Sequence, residues 1–354
     1  MLTVRVWTGE EAGALRRALR LSVRAYAEHL GVAVRTVSKW EQLGVSVQPR
    51  PDTQAILDTA LDRASPADQL RFQALLAGTS PRSSAAGLGE AESWDQETWT
   101  DDLDRVVVLL SRQNFPAATA LIDRWVNRYP PDRLSPKGMY LHARSLVLLG
   151  DARRDQGALS GPLSAKPCYT KAHAIYAQLD IPRRAAQIEL SLAVLTEMSG
   201  DLQPAARIYH HLSSDERLSH RDQARALLWV GTALSKDGDH APAAQAMTHA
   251  ARKFEELSEA EDWAVAQQKL ALAHRGLGDL TRAWHFLDLA TASGISDTPL
   301  QQVRISTARA HILLSNAATR PEGLSMLDQA ALIAGASGLS HQVRSIRAIR
   351  QAAT

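Results

Sequence analysis

Three stretches of this chain repeat one another, and that periodicity restricts the fold more than any other feature of the sequence. SGDLQPAARIY (199–209), DGDHAPAAQAM (237–247) and LGDLTRAWHFL (277–287) align so that Gly200, Gly238 and Gly278 are each followed by Asp and, five residues after the Gly, by Ala. The Gly-to-Gly spacings are 38 and 40 residues. Apolar residues recur at helical intervals on both sides of each Gly-Asp, so the unit reads as helix, tight turn, helix. Glycine takes the left-handed backbone that such a turn needs, and the small Ala lets the second helix lie close against the first. QNFPAATALI (113–122) is an earlier copy, and the stretch around Gly150-Asp151 a weaker one. Five or six hairpins are expected between Asp101 and Gly338, then a closing helix from Ser340 carrying Val343, Ile346 and Ile349. A single hairpin cannot bury its own apolar face, so neighbours must stack.

The first 77 residues follow a different pattern. Thr8 and Glu11 form a capping box before a helix with Ala12, Leu15 and Leu19 on one face, and Ser22 caps a second helix carrying Val23, Ala27 and Leu30. Gly31 supplies a turn, and a third helix follows with Val34, Val37 and Trp40. Asp52 caps a fourth helix, and Ser65-Pro66 opens a fifth. From Gly78 to Glu92 the sequence GTSPRSSAAGLGEAE has almost nothing to bury. The expected organisation is therefore a small helical domain at residues 1–77, a flexible linker at 78–96 and a helical repeat domain at 97–354, all-α throughout.

Composition excludes several classes. The 354 residues include 45% apolar and 22% charged side chains, enough for packed cores and too apolar for wholesale disorder. No run approaches a membrane span, and Arg5, Glu10 and Glu11 break up any signal-peptide core, so a cytoplasmic, soluble protein is expected. The single cysteine, Cys168, rules out Cys-rich metal sites. Phosphate-cradling loops, HExxH and nucleophile elbows are missing, and the twelve histidines are scattered. Neither an enzyme nor a cofactor or metal site is expected. Charge is uneven: the first fifty residues hold eight Lys and Arg against four Asp and Glu, so a local excess of +4 sits in a chain of net +2.

Residues 23–44, VRAYAEHLGVAVRTVSKWEQLG, carry the most specific motif. Two helices meeting at a sharp turn need a small residue at the crossing, a residue tolerant of positive φ in the turn, and bulky apolar residues closing the far side. Ala27, Gly31, Val37 and Trp40 meet those needs at offsets of four, six and three. With the LRRALRLS lead-in from Leu15 and the SKWE run ending at Glu41, the segment resembles the XRE-type, or lambda-repressor-like, helix-turn-helix regulators. The resemblance implies a five-helix DNA-binding domain whose second motif helix enters the major groove of double-stranded DNA. By position, Val34, Arg35, Thr36, Ser38 and Lys39 would face the duplex, with Arg35 the base reader and Arg24 a backbone contact. Val37 and Trp40 would face the core, and Arg16 and Glu41 would form a structural ion pair. Val23 stands where the family often has Gln, and Tyr26 where it usually has Leu.

The repeats resemble tetratricopeptide-type hairpins, with a period longer than the usual ~34 residues. Joined to an XRE-type head, they are similar to the peptide-sensing regulators. That resemblance implies a homodimer on a palindromic operator and a peptide, small ligand or protein partner in the repeat groove. Those sensors hold peptide backbone with asparagines, of which this chain has only Asn114, Asn127 and Asn316. Arg225 with Trp229, and Trp263 with Gln267, are the candidate ligand residues, each pair at i, i+4 on the first helix of a hairpin. The tryptophans would otherwise fill the core between helices. The competing reading is an interaction scaffold in which DNA binding is incidental.

Overall fold

The computed structural model describes residues 4, 6–77, 88–131, 134–292 and 298–353. The described residues form eighteen α-helices and one 3₁₀ turn, with no strand, as the periodicity predicts. The chain divides into two compact units, Met1–Leu148 and Leu149–Thr354.

In the first unit the helices are α1 (Gly9–Ala18), α2 (Val23–Leu30), α3 (Val34–Leu43), α4 (Pro51–Asp62) and α5 (Pro66–Ala77), followed by α6 (Leu88–Ser111) and α7 (Phe115–Arg128). Next comes α8 (Pro136–Asp155), which runs on into the second unit. The Thr8–Glu11 capping box is present, and the Ser22 hydroxyl accepts from the Ala25 amide. The fourth helix differs from expectation. Pro51 opens it, Arg50 is the N-cap residue, and Asp52 falls inside the first turn, where its charge suits the positive end of the helix dipole. Of the expected linker, residues 78–87 lie outside the described residues, while 88–96 begin α6, in keeping with their Ala, Glu and Gln content.

One buried polar knot ties α1–α5 to α6. Arg105, 1% exposed, donates both to Asp58 and to Gln54 Oε1 (3.3 Å), and Asp58 also accepts from Trp7 Nε1 at 2.8 Å. The nearby Asp102 pairs with Arg124 and accepts from Trp125 Nε1 at 2.7 Å. Buried charges persist only when paired and fully hydrogen-bonded, so this knot fixes the position of α6 on α4.

The second unit continues with α9 (Ala165–Gln178), α10 (Pro182–Met198), α11 (Leu202–Leu212), α12 (His220–Lys236), α13 (His240–Glu256), α14 (Ala260–Gly276) and α15 (Leu280–Ala292). The last three helices are α16 (Pro299–Leu313), α17 (Arg320–Ala336) and α18 (Ser340–Ala353). Within this unit α10 pairs with α11, α12 with α13, α14 with α15 and α16 with α17, and α18 packs on α17; in the first unit α6 pairs with α7. Gly200, Gly238 and Gly278 have φ of 95°, 96° and 79°, the left-handed turn the repeat requires. Ala205, Ala243 and Ala283, five residues later, are each fully buried. At α12 and α13 the approach is tight: a Cβ on Gly231 would come within 2.8 Å of the Ala243 carbonyl oxygen. At the end of the array the Arg344 guanidinium donates to the Gly157 carbonyl at 2.9 Å.

Candidate nucleic-acid interface and repeat groove

Two short helices and a glycine set the geometry of the motif. Gly31 ends α2 at φ 69°, and its amide bonds back to α2 carbonyls, so α3 can turn away at once. Ala27 (1% exposed), Val37 (1%) and Trp40 (4%) close the angle between the helices. On the other side of α3, Gly9 at the start of α1 lies directly against the Trp40 carbonyl, where any Cβ would collide with backbone. Its amide donates to Val47 at 2.9 Å. Arg16 joins Glu41 at 2.5 Å and donates to the Leu21 carbonyl at 2.7 Å, so the expected structural ion pair is present.

Those constraints hold α3 with its opposite face outward. Arg35, Ser38 and Lys39 are exposed, Thr36 is half-buried, and Val34 is 48% exposed with no core to join. Arg24 is exposed at the start of α2. Ser38 returns its hydroxyl to the Val34 carbonyl at 3.2 Å. Among the described residues neither Arg35 nor Lys39 makes an ion pair, and Glu41, the carboxylate within their own helix, is taken up by Arg16. The outward face of α3 is thus cationic. Tyr26, in place of the family's usual leucine, is fully buried, and burial drives its phenol far above the ordinary range; the hydroxyl makes no hydrogen bond.

The four candidate ligand residues of the repeats fall into different surroundings. Arg225 is committed to Asp262 at 2.9 Å, with Arg221 on the same carboxylate at 2.7 Å, and so braces α12 against α14. Trp229 packs beside Leu190 and Val194, with the Lys269 ammonium 5.7 Å from its ring centre. Trp263 instead joins the core with Leu227 and Phe254, and Gln267 is buried at 5% exposure with its Oε1 unpartnered. Trp229 and Trp263 therefore belong to separate clusters.

Sequence reasoning missed the charges around Trp229. Lys236 on α12 pairs with Glu197 on α10 at 2.7 Å, and Glu197 also accepts from the Tyr209 hydroxyl at 2.8 Å. Arg304 on α16 is close enough to disfavour the charge of Lys269 on α14. Burial, followed by the Lys236 and Arg304 charges, pulls the Lys269 amine down to about 7. Burial also lowers the Arg304 guanidinium.

Other chemistry is sparse. Among the described residues no three His, Cys, Asp or Glu side chains converge as a metal would require, and His210 and His211 are both exposed on α11. Cys168 is buried, with Arg153 Nη1 3.1 Å from its sulfur, a partner the sequence did not suggest. No helix among the described residues is long and apolar enough to cross a membrane.

No family model matches the sequence, and no curated protein matches it. Solved structures do share its fold. One is a Rap protein complexed with Competence and Sporulation Factor, 14% identical, with 97% of each chain covered and a TM-score of 0.52. Another is the Rap conjugation gene regulator of plasmid pLS20 in complex with the Phr peptide, 15% identical, covering 98% of this chain and 95% of that one at 0.55. The likeness is one of fold. At this identity it reports stacked helical hairpins and leaves the chemistry of individual side chains to be argued from this chain alone.

Proposed function

We propose that the chain is a sequence-specific DNA-binding transcriptional regulator, with residues 1–77 as its reading head and a repeat domain that dimerises and senses a peptide. One observation carries the DNA reading: α3 presents Arg35 and Lys39, one turn apart and without carboxylate partners, on the face opposite a buried Val37–Trp40 ridge. An arginine in that place can bond both major-groove acceptors of a guanine, and Val34 can meet a thymine methyl. Thr36, Ser38 and Arg24 suit phosphate contacts that set register. Peptide sensing draws support from the repeat fold, which this chain shares with a conjugation gene regulator solved with a peptide. A peptide that bound one repeat curvature better than another would shift the population of conformations and with it the spacing of two heads.

The test is selection of duplexes from a random pool, followed by affinity measurements across salt concentrations. Arg35→Ala should cost about 1–3 kcal/mol at the selected site and relax preference at one base pair. Lys39→Ala, as a phosphate contact, should weaken all duplexes alike and reduce the salt slope by about one. Uniform, weak, salt-sensitive binding of the unaltered protein to every duplex would overturn the reading and leave an interaction scaffold.

A further inference from the structure

Between α8 and α9, within the second unit, a short turn holds a leucine out in solvent. In the stretch Gly161-Pro162-Leu163-Ser164 both the amide and the hydroxyl of Ser164 donate to the Gly161 carbonyl, at 3.2 and 2.7 Å, and Pro162 sits where a β-turn favours proline. The base of the turn is fixed as well. The Ala165 amide donates to the Ala158 carbonyl at 2.9 Å, and the Gly157 carbonyl accepts from Arg344 at 2.9 Å. Leu163 is consequently held at 76% exposure, the highest of any large apolar side chain among the described residues. Beside it opens a cavity of about 820 Å³ with Leu159, Leu192, Leu195 and Pro167 in its wall, a wall that does not include Leu163. Lys166, Lys171 and Asp201 line the same cavity; all three are exposed, and none makes an ion pair among the described residues.

We propose that this face joins two copies of the chain about a two-fold axis, with the Leu163 turn of each copy seated in the cavity of the other against Leu159, Leu192 and Leu195. The proposal rests on the dimerising reading above and names the surface that reading needs. A two-fold interface must be complementary to itself, so a projection has to lie beside the hollow that receives it. Leu163 and the cavity meet that condition, since Gly161 and Ser164, on either side of the leucine, both line the hollow. Charge meets it too. The cavity carries two ammonium groups and a carboxylate that lack partners within the chain, and across a two-fold axis each copy's lysines meet the other's Asp201. A partner of a single sign would instead leave like charges facing each other. The braced turn also lowers the cost of association, because Leu163 is ordered before contact.

The experiment follows the full-length protein by sedimentation at micromolar concentration, with circular dichroism as the control on folding. The unaltered chain should run at about twice its 38.6 kDa mass. Leu163→Asp should raise the dimer dissociation constant at least about tenfold and leave the helix content unchanged, since the side chain is mostly exposed within its own copy. Asp201→Lys in one variant, and Lys166→Glu with Lys171→Glu in a second, should each weaken the dimer, because like charges then face each other across the axis. Mixing the two variants should restore association, since every lysine again meets a carboxylate of the other chain. A dimer that survives Leu163→Asp unchanged would overturn this face and leave dimerisation standing. A mixture that associates no better than either variant alone would overturn the two-fold pairing. A monomer at every concentration of the unaltered protein would remove the dimerising reading and this surface together.

Discussion

His311 shows how far burial can move the titration of a side chain. Its Nδ1 has no partner, and enclosure, followed by the nearby Arg275 charge, pushes the imidazole from 6.5 down to about 4. The unfolded chain takes up a proton near pH 6.5 that the folded chain refuses, so the stabilising contribution is intact above that pH and is lost as pH falls toward 4. His311→Gln should therefore shrink the loss of unfolding free energy between about pH 7 and pH 5 by about 2 kcal/mol, read from urea titrations. An unchanged loss would show that His311 titrates normally. Single residues also mark the limit of reading from sequence. Thr8, Ser22 and Gly31 were legible because each acts on a backbone group within three residues or on its own φ. Arg105 was not legible, since Asp58 lies 47 positions away and only the docking of α6 on α4 brings them together. Lys269 and Arg304, too, read in sequence as two ordinary solvated charges.

At the scale of helices, the repeat reading depended on small residues at crossings, and that logic can be tested with two glycines. Gly231 sits where α12 meets α13, and an added Cβ would come within 2.6 Å of Met247 Cγ and 2.8 Å of the Ala243 oxygen. Gly335 lies inside α17 with nothing within 4 Å. Gly231→Ala should destabilise the protein by about 1–3 kcal/mol through overpacking, whereas Gly335→Ala should stabilise it by up to about 1 kcal/mol through lost backbone freedom in the unfolded state. Equal effects in thermal unfolding would mean that the crossing relaxes freely. The helical pairs were legible because Gly-Asp and a later Ala are local signals that recur. The start of the fourth helix was misread by two residues, because Pro51 serves as its first position as readily as Asp52 serves as a cap. Arg225 and Trp229 lie in α12, and Trp263 and Gln267 in α14, but i, i+4 spacing cannot tell the packed side of a helix from its open side. Trp229 and Trp263 consequently landed in different clusters.

For the whole molecule, the likeness to Rap proteins at 14–15% identity is one of fold. The regulator reading adds a requirement on assembly. One helix-turn-helix reads only a few base pairs, and a palindromic operator presents its half-sites about 34 Å apart, so two copies must act together. Sedimentation at micromolar concentration should give about twice the 38.6 kDa chain mass, and one duplex should bind two chains. A strict monomer that binds one chain per duplex would defeat that expectation.

Arg344 and Gly157 stand 187 residues apart in sequence and share a hydrogen bond. Stacked hairpins ordinarily pass strain only to the next neighbour, so a disturbance fades within a repeat or two. This clasp ties the closing helix to the turn after α8, both within the second unit. Cutting it by Arg344→Ala would loosen the closing helix and the turn after α8 together.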